Sequence, residues 1–313
     1  MLSRTADNLY WLSRYVERAE NTARIIGTAA RLSSLPSHYG GTTNEWESAV
    51  ASTGSLDRFY NHYDTASRRN VIEFLAFSED NPSSIRQCFD IARRNARAVR
   101  TALTIEMWEA INEAWHDLHR TTKVPRNDDT LNDFLAWVER VSLSFDGSAY
   151  RTMLRNDAFC FSRLGVHMER AEATARILDV KYHVLLPPDE PIGGSLDYFQ
   201  WSAILRSVSA LTSYHWVYKE SLKPWLVADL LILRKEMPRS LSNCYENVSL
   251  FLDRLSRAYG RQGPSQRMAR ETFARLQNTD IDVIFQFGLH EFVDEFIQEN
   301  HRLSAAIADQ YLV

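Results

Sequence analysis

The sequence predicts an all-α fold, an internally duplicated helical bundle with two pseudo-symmetric copies, and three observations carry that expectation. Glycine and proline are scarce, 11 and 9 in 313 residues, and they gather in a few places instead of recurring as sheet turns. Apolar residues repeat at helical spacing. Leu9, Leu12, Val16, Ala19, Ala23 and Ile26 form one stripe, and Phe161, Leu164, Met168, Ala171, Ala175 and Leu178 form it again. The nine residues Glu17-Arg-Ala-Glu-Asn-Thr-Ala-Arg-Ile25 return 152 residues later as Glu169-Arg-Ala-Glu-Ala-Thr-Ala-Arg-Ile177, with eight of the nine identical.

Further matches follow in order at a slowly growing offset, as a few loop insertions would produce. Pro36 answers to Pro188, Gly40-Gly41 to Gly193-Gly194, and Trp46 to Trp201. Asn81-Pro-Ser-Ser-Ile-Arg-Gln-Cys88 answers to Met237-Pro-Arg-Ser-Leu-Ser-Asn-Cys244. The expected organisation is one domain over 1–313, with copy one at about 1–150 and copy two at about 151–313. In copy one a long helix is expected over 5–33, a Pro/Gly loop over 34–45, a helical stretch over 46–78 and a third helix over 82–121. In copy two the corresponding spans are 154–185, 186–196, 197–235 and 238–260, and helices near 129–147 and 283–309 close the copies. Asn81 suits an N-cap and Pro82 the first helical position, where its missing N–H would have been an orphan. Met237 is a poorer cap, so the matching start is expected to be weaker. The connection carrying Pro187, Pro188, Pro191, Gly193 and Gly194 falls inside the second copy, which favours one merged bundle over two free domains.

Composition narrows the function classes. Hydrophobic residues make up 45%, enough for a sizeable core without staples, and the formal net charge of −4 leaves no basic excess for a nucleic-acid partner. Cys88, Cys160 and Cys244 have no CxxC spacing, so neither a disulfide scaffold nor a zinc site is expected. The first residues lack the apolar core of a signal peptide. The apolar run from Trp225 to Leu233 carries Asp229 and is too short to span a bilayer. A cytoplasmic protein with no membrane partner is the expectation.

The chemistry is concentrated in the repeated motif. On a helical wheel Tyr10, Ser13, Glu17, Glu20 and Arg24 share an arc opposite the apolar stripe, and Ser162, Gly165, Glu169, Glu172 and Arg176 share it in the second copy. Glu20→Arg24 and Glu172→Arg176 are i,i+4 pairs in the favourable orientation. Glu17 and Glu169 have Asn21 and Ala173 at i+4, so each helix is expected to offer one carboxylate with spare acceptor capacity. Two readings stand. One is a polar ladder holding two helices in register; the other is a shared cavity in which the six Glu and Arg side chains face a ligand. A carboxylate-bridged metal site would need Glu-x-x-His pairs, and residues 20 and 172 are Glu, so no metal or other cofactor is expected.

The segments MLSRTADNLYWLSRYVERAENTARI, NPSSIRQC, ARRNARAVRTALTIEMWEAIN and FSRLGVHMERAEATARILDVKYHVLLP together resemble the bacterial alpha-E family, over both copies up to about residue 260. The resemblance implies an all-α fold with repeated Glu-x-x-Arg-type motifs as its signature, here Glu17, Glu20 and Arg24 with Glu169, Glu172 and Arg176. It also implies partners. Members are encoded beside, or fused to, circularly permuted ATP-grasp ligase-like proteins and transglutaminase-like cysteine peptidases, which points to ATP-dependent peptide or amide ligation.

Other candidates are fewer. Arg86, Arg93, Arg97 and Arg100 form a basic stripe without a counterpart in the second copy; Arg93, Arg97 and Arg100 are candidates for an anion or partner surface, with a solvated face as the alternative. Glu113, His116 and His119 share a helical face but read as surface decoration, and His167 replaces Tyr15 as a packed histidine. No GxSxG, Walker loop, HExxH or Cys-His signature occurs. The expected function is a helical partner of an ATP-grasp ligase system that binds a peptide or amino-acid substrate. The rivals are an independent enzyme using Glu17 or Glu169 as general base, and a purely structural adaptor.

Overall fold

The computed structural model describes residues 1–34, 45–120, 124–125, 127–183 and 194–312, and every regular element among them is helical. In chain order these are α1 (Ser3–Ser33), α2 (Glu45–Ser52), α3 (Leu56–Tyr60), α4 (Arg68–Ile72), α5 (Ile85–Ala98), α6 (Ile105–Arg120), α7 (Asp128–Thr152) and α8 (Asp157–His183). They continue as α9 (Ser195–Ser207), α10 (Leu211–Tyr218), α11 (Pro224–Ile232), α12 (Leu241–Tyr259), α13 (Pro264–Asn278), α14 (Ile281–Phe287) and α15 (Leu289–Ile307). None of these helices is long and apolar enough to cross a membrane.

The two long helices α1 and α8 pack against each other at the centre. Around them α1 also meets α2, α5, α7 and α9, while α8 meets α2, α9, α12 and α15. With neighbours on so many sides, both helices are buried almost all round. The apolar stripe Leu9, Leu12, Val16, Ala19, Ala23 and Ile26 is in the core, and so is the polar arc of Ser13, Glu17, Glu20 and Arg24. A buried polar arc must be satisfied by protein groups, and that requirement organises the site.

The close approach of the two helices depends on Gly165. A Cβ there would drive into the Tyr10 carbonyl oxygen and come within 3.3 Å of the Ser13 side chain. Beside it Ser13 Oγ and Ser162 Oγ share a 2.8 Å hydrogen bond.

Several boundaries differ from the sequence reading. The third helix starts at Ile85, not at Pro82, because Ser84 is the N-cap and accepts from the Gln87 N–H. Asn81 instead closes the preceding turn: its Oδ1 accepts from the Ser83 N–H and its Nδ2 donates to the Phe74 carbonyl. In the second half Ser240 caps α12 in the same way, accepting from Asn243 N–H, so Met237 does not weaken that start. The expected helix over 82–121 breaks at Arg100–Ala102 and restarts as α6, with Thr104 Oγ1 accepting from the Met107 N–H. The stretches 46–78 and 197–235 are each divided into short helices, and Glu73–Phe77 is a π turn. The matches at Pro36, Gly40-Gly41, Pro188 and Gly193 lie outside the described residues.

Candidate functional site

Arg18 and Arg170 follow Glu17 and Glu169 directly in sequence, which turns each arginine about 100° round its helix from its neighbour. At the α1–α8 crossing that turn aims each at the carboxylate of the opposite helix. Arg170 donates Nε and Nη2 to the two oxygens of Glu17, both at 2.9 Å. Arg18 does the same to Glu169 at 2.6 and 2.9 Å. Two reciprocal forks of this kind fix helix register as well as distance.

Each fork belongs to a larger centre. Glu17 also accepts from Arg239 Nη1 at 3.0 Å, and the other terminal nitrogen of Arg239 bonds Glu20. Glu20 holds Arg24 at 2.8 and 2.7 Å and accepts from the Ser142 hydroxyl at 2.6 Å. On the other side Arg14 donates Nε to Glu169 at 2.7 Å and reaches Glu172 at 3.4 Å. Glu172 holds Arg176 at 3.0 and 2.8 Å and faces His301 at 3.1 Å. Arg24 caps the Ser207 carbonyl, and Arg176 caps the Ser52 carbonyl at 3.0 Å. The expected spare capacity on Glu17 and Glu169 is therefore taken up: two guanidiniums hold each of them.

These contacts set the charge states. Burial works to raise the Glu17 carboxyl, but Arg170 and Arg239 outweigh it and hold it well below the usual carboxylate range. Glu172 is buried too, and His301, Arg176 and Arg14 hold it low in the same way. Cys88 lies near Arg18 and Glu169, and Cys244 near Arg170 and Glu17; burial pushes both thiols up to about 12, so neither is a nucleophile at neutral pH. His167 is kept neutral by burial and by the guanidiniums of Arg163 and Arg170. Its ring stacks on Phe251, and among the described residues its Nδ1 has no partner.

A cavity of about 200 Å³ opens beside one of the two centres. Arg18, Asn21, Ser83, Glu169, Glu172 and Arg176 are on its wall. Of the six predicted site residues, Glu169, Glu172 and Arg176 line this space; Glu17, Glu20 and Arg24 do not, and Arg239 lies against Glu17 and Glu20. Asn21 is 7% exposed, and its Oδ1 has no hydrogen-bond partner among the described residues.

Arg14, Arg18, Arg170 and Arg239 are the residues that sequence reasoning missed. Arg18 and Arg170 carried a signal, since both lie inside the repeated nonapeptide. A wheel drawn for one isolated helix places them off the polar arc and hides a pairing made only across two helices.

The basic stripe is mostly engaged. Arg93 stacks over Trp115 at 4.1 Å and donates to Asn112, and Arg100 lies over Trp108 at 4.9 Å. Arg97 is exposed. Glu113 and His116 are exposed and His119 stacks on Trp115; no group of three or more His, Cys, Asp or Glu among the described residues could hold a metal ion.

The Alpha-E family, described as a predicted alpha-helical domain with a conserved ER motif, has a model that matches residues 1–312. Glu17-Arg18 and Glu169-Arg170 fit that motif, and they are the residues that pair across the crossing. An uncharacterized protein of Mycobacterium bovis is 22% identical over 327 residues, which cover 98% of this chain and 36% of that protein. An uncharacterized protein of Mycobacterium tuberculosis matches with the same identity and coverage. The chain spans about a third of the length of these relatives. No solved structure matches it.

Proposed function

The chain belongs to the Alpha-E family, and we propose that it is an internally duplicated helical partner of a cytoplasmic ATP-grasp amide- or peptide-ligase system, binding a peptide or amino-acid substrate in the cavity beside Glu169, Glu172 and Arg176. The observation that carries the reading is that polar cavity, built against a buried ion-pair network and lined by residues of both long helices.

Duplication is supported by contacts that recur at the sequence offset. Adding 152 to Arg18 gives Arg170, and subtracting it from Glu169 gives Glu17, so one fork becomes the other. The same operation turns the contact of Ser13 with Ser162 into that of Gly165 with Tyr10. Ser52 and Ser207, capped by Arg176 and Arg24, are 155 apart, the offset of Trp46 and Trp201. Such a repeat fits a two-fold axis running between α1 and α8.

A partner role fits the relatives' greater length, in which a unit like this one is joined to further sequence. Base catalysis by a cavity Glu needs a carboxyl raised toward neutrality. The guanidiniums around Glu17 and Glu172 act in the opposite direction, which favours binding over the general-base alternative. A structural adaptor would have no use for the cavity.

The test is reconstitution. The chain is purified with a circularly permuted ATP-grasp ligase-like protein from the same organism, and ATP-dependent amide formation is followed with and without the chain. A stable complex and a product that requires the chain are expected. An unaffected ligase that never associates with it would sink the reading.

A further inference from the structure

The two Glu-Arg centres differ in the turn that precedes each flanking helix. Before α12 the sequence is Met237-Pro-Arg-Ser240, and Arg239 bonds both Glu17 and Glu20. Before α5 it is Asn81-Pro-Ser-Ser84, and Ser83, on the wall of the 200 Å³ cavity, stands where the other turn has its arginine. A second difference falls inside the nonapeptide itself. The one residue that is not shared is Asn21 against Ala173, and Asn21 brings to the cavity a nine-tenths buried amide whose Oδ1 has no donor among the described residues.

The charges around the cavity indicate what it lacks. Glu169 and Glu172 are held by three guanidiniums, those of Arg14, Arg18 and Arg176, with His301 as a further donor candidate. Arg14 already makes the bridge between the two carboxylates that Arg239 makes in the other centre. In the other centre the three guanidiniums of Arg24, Arg170 and Arg239 meet three carboxylates, Glu17, Glu20 and Glu139, the last 3.7 Å from Arg24; here two carboxylates meet three, and the space calls for negative charge to balance the excess cation. Its size is below the roughly 300–1,000 Å³ of pockets for drug-sized ligands, which suits a single residue.

We propose that this cavity binds the carboxyl-terminal residue of a peptide, or a free amino acid, with the carboxylate on Arg18 and Arg176. The inference rests on the substrate-binding reading above and names the chemical class and the half of the molecule that takes it. Ser83 and Thr22 add hydroxyls to the wall. In the centre at Glu17 and Glu20 the matching position is filled by Arg239.

Calorimetric titration of the full chain tests this with four probes: L-alanine, N-acetyl-L-alanine, its C-terminal amide and acetate. Saturable binding of L-alanine or N-acetyl-L-alanine is expected, weakened about tenfold or more when the carboxylate is amidated. The stronger of those two distinguishes a free amino acid from a peptide end. Ser83→Arg places in this cavity the side chain that fills the other centre, and it should abolish binding. Retained binding in Ser83→Arg, or no saturable binding of any probe by the unaltered chain up to about 10 mM, overturns the proposal. Ligation assays with Ser83→Arg separate the two levels. Lost ligation without probe binding removes only the ligand class, whereas full ligation removes the cavity's role altogether.

Discussion

Around Glu17 and Glu20 the bridging guanidinium comes from Arg239, in the turn before α12. Around Glu169 and Glu172 the bridging guanidinium comes from Arg14 on α1, and the side facing Ser83 stays open. The motif residues are the same in both places. What differs are Arg239 against Ser83 and Arg14 against Val166 outside the repeated nonapeptide, and Ala173 against Asn21 within it. A repeated motif thus lines a cavity in one setting and meets Arg239 in the other, and the residue in the neighbouring turn differs between them.

The largest expected effect is at the closed centre. Arg239→Ser removes a guanidinium shared by two buried carboxylates, and chemical denaturation should show a loss of roughly 3–5 kcal/mol. A loss below about 1 kcal/mol, the value of an exposed pair, would erase the distinction between the centres. Next is the crossing on which both depend. Gly165→Ala forces the helices apart at Tyr10 and should lower stability by about 1–3 kcal/mol or more, with both forks weakened together.

How much of this was legible in the sequence follows from which interactions are local. The stripes through Leu9 and Phe161 are properties of single helices, and the all-helical class was readable from them. The break after Ala98 was not, because no glycine or proline marks it; it depends on Val99 and Leu103 being buried and on Thr104 serving as a cap. Glu20–Arg24 and Glu172–Arg176 were readable as i,i+4 pairs. The Arg18–Glu169 fork was not, since it exists only where two helices cross, and Arg239 enters from more than 200 residues away.

A smaller effect concerns pH. Burial, with Arg163 and Arg170 nearby, keeps the folded His167 value below its ordinary one of about 6.5. Below that pH the unfolded chain takes up a proton that the folded chain refuses, so stability falls as pH drops, by at most about 1.4 kcal/mol per pH unit for this one group. His167→Phe, which keeps a ring on Phe251, should flatten the part of the slope between pH 7 and 5 that is due to this group. An unchanged slope would show that His167 titrates freely. The smallest effect is expected on the basic stripe. Arg97→Gln should change stability by less than about 0.5 kcal/mol, whereas Arg93→Gln and Arg100→Gln should each lose about 0.5–1 kcal/mol with their tryptophan contacts.

The most direct measurement is a paired one: denaturation curves of Glu17→Gln and Glu169→Gln beside reconstituted ligation. Gln keeps the shape and an acceptor oxygen, so only the charge is removed. Glu17→Gln strands Arg170 and Arg239 in a closed centre and should cost roughly 3–5 kcal/mol. Glu169→Gln strands the buried Arg14 but leaves Arg18, 22% exposed, on the wall of an open cavity; it should cost less and yet abolish ligation while the protein remains folded. Equal stability losses in the two variants, with the loss at Glu169 large enough to explain the missing ligation, would contradict the division into a closed centre and a binding centre.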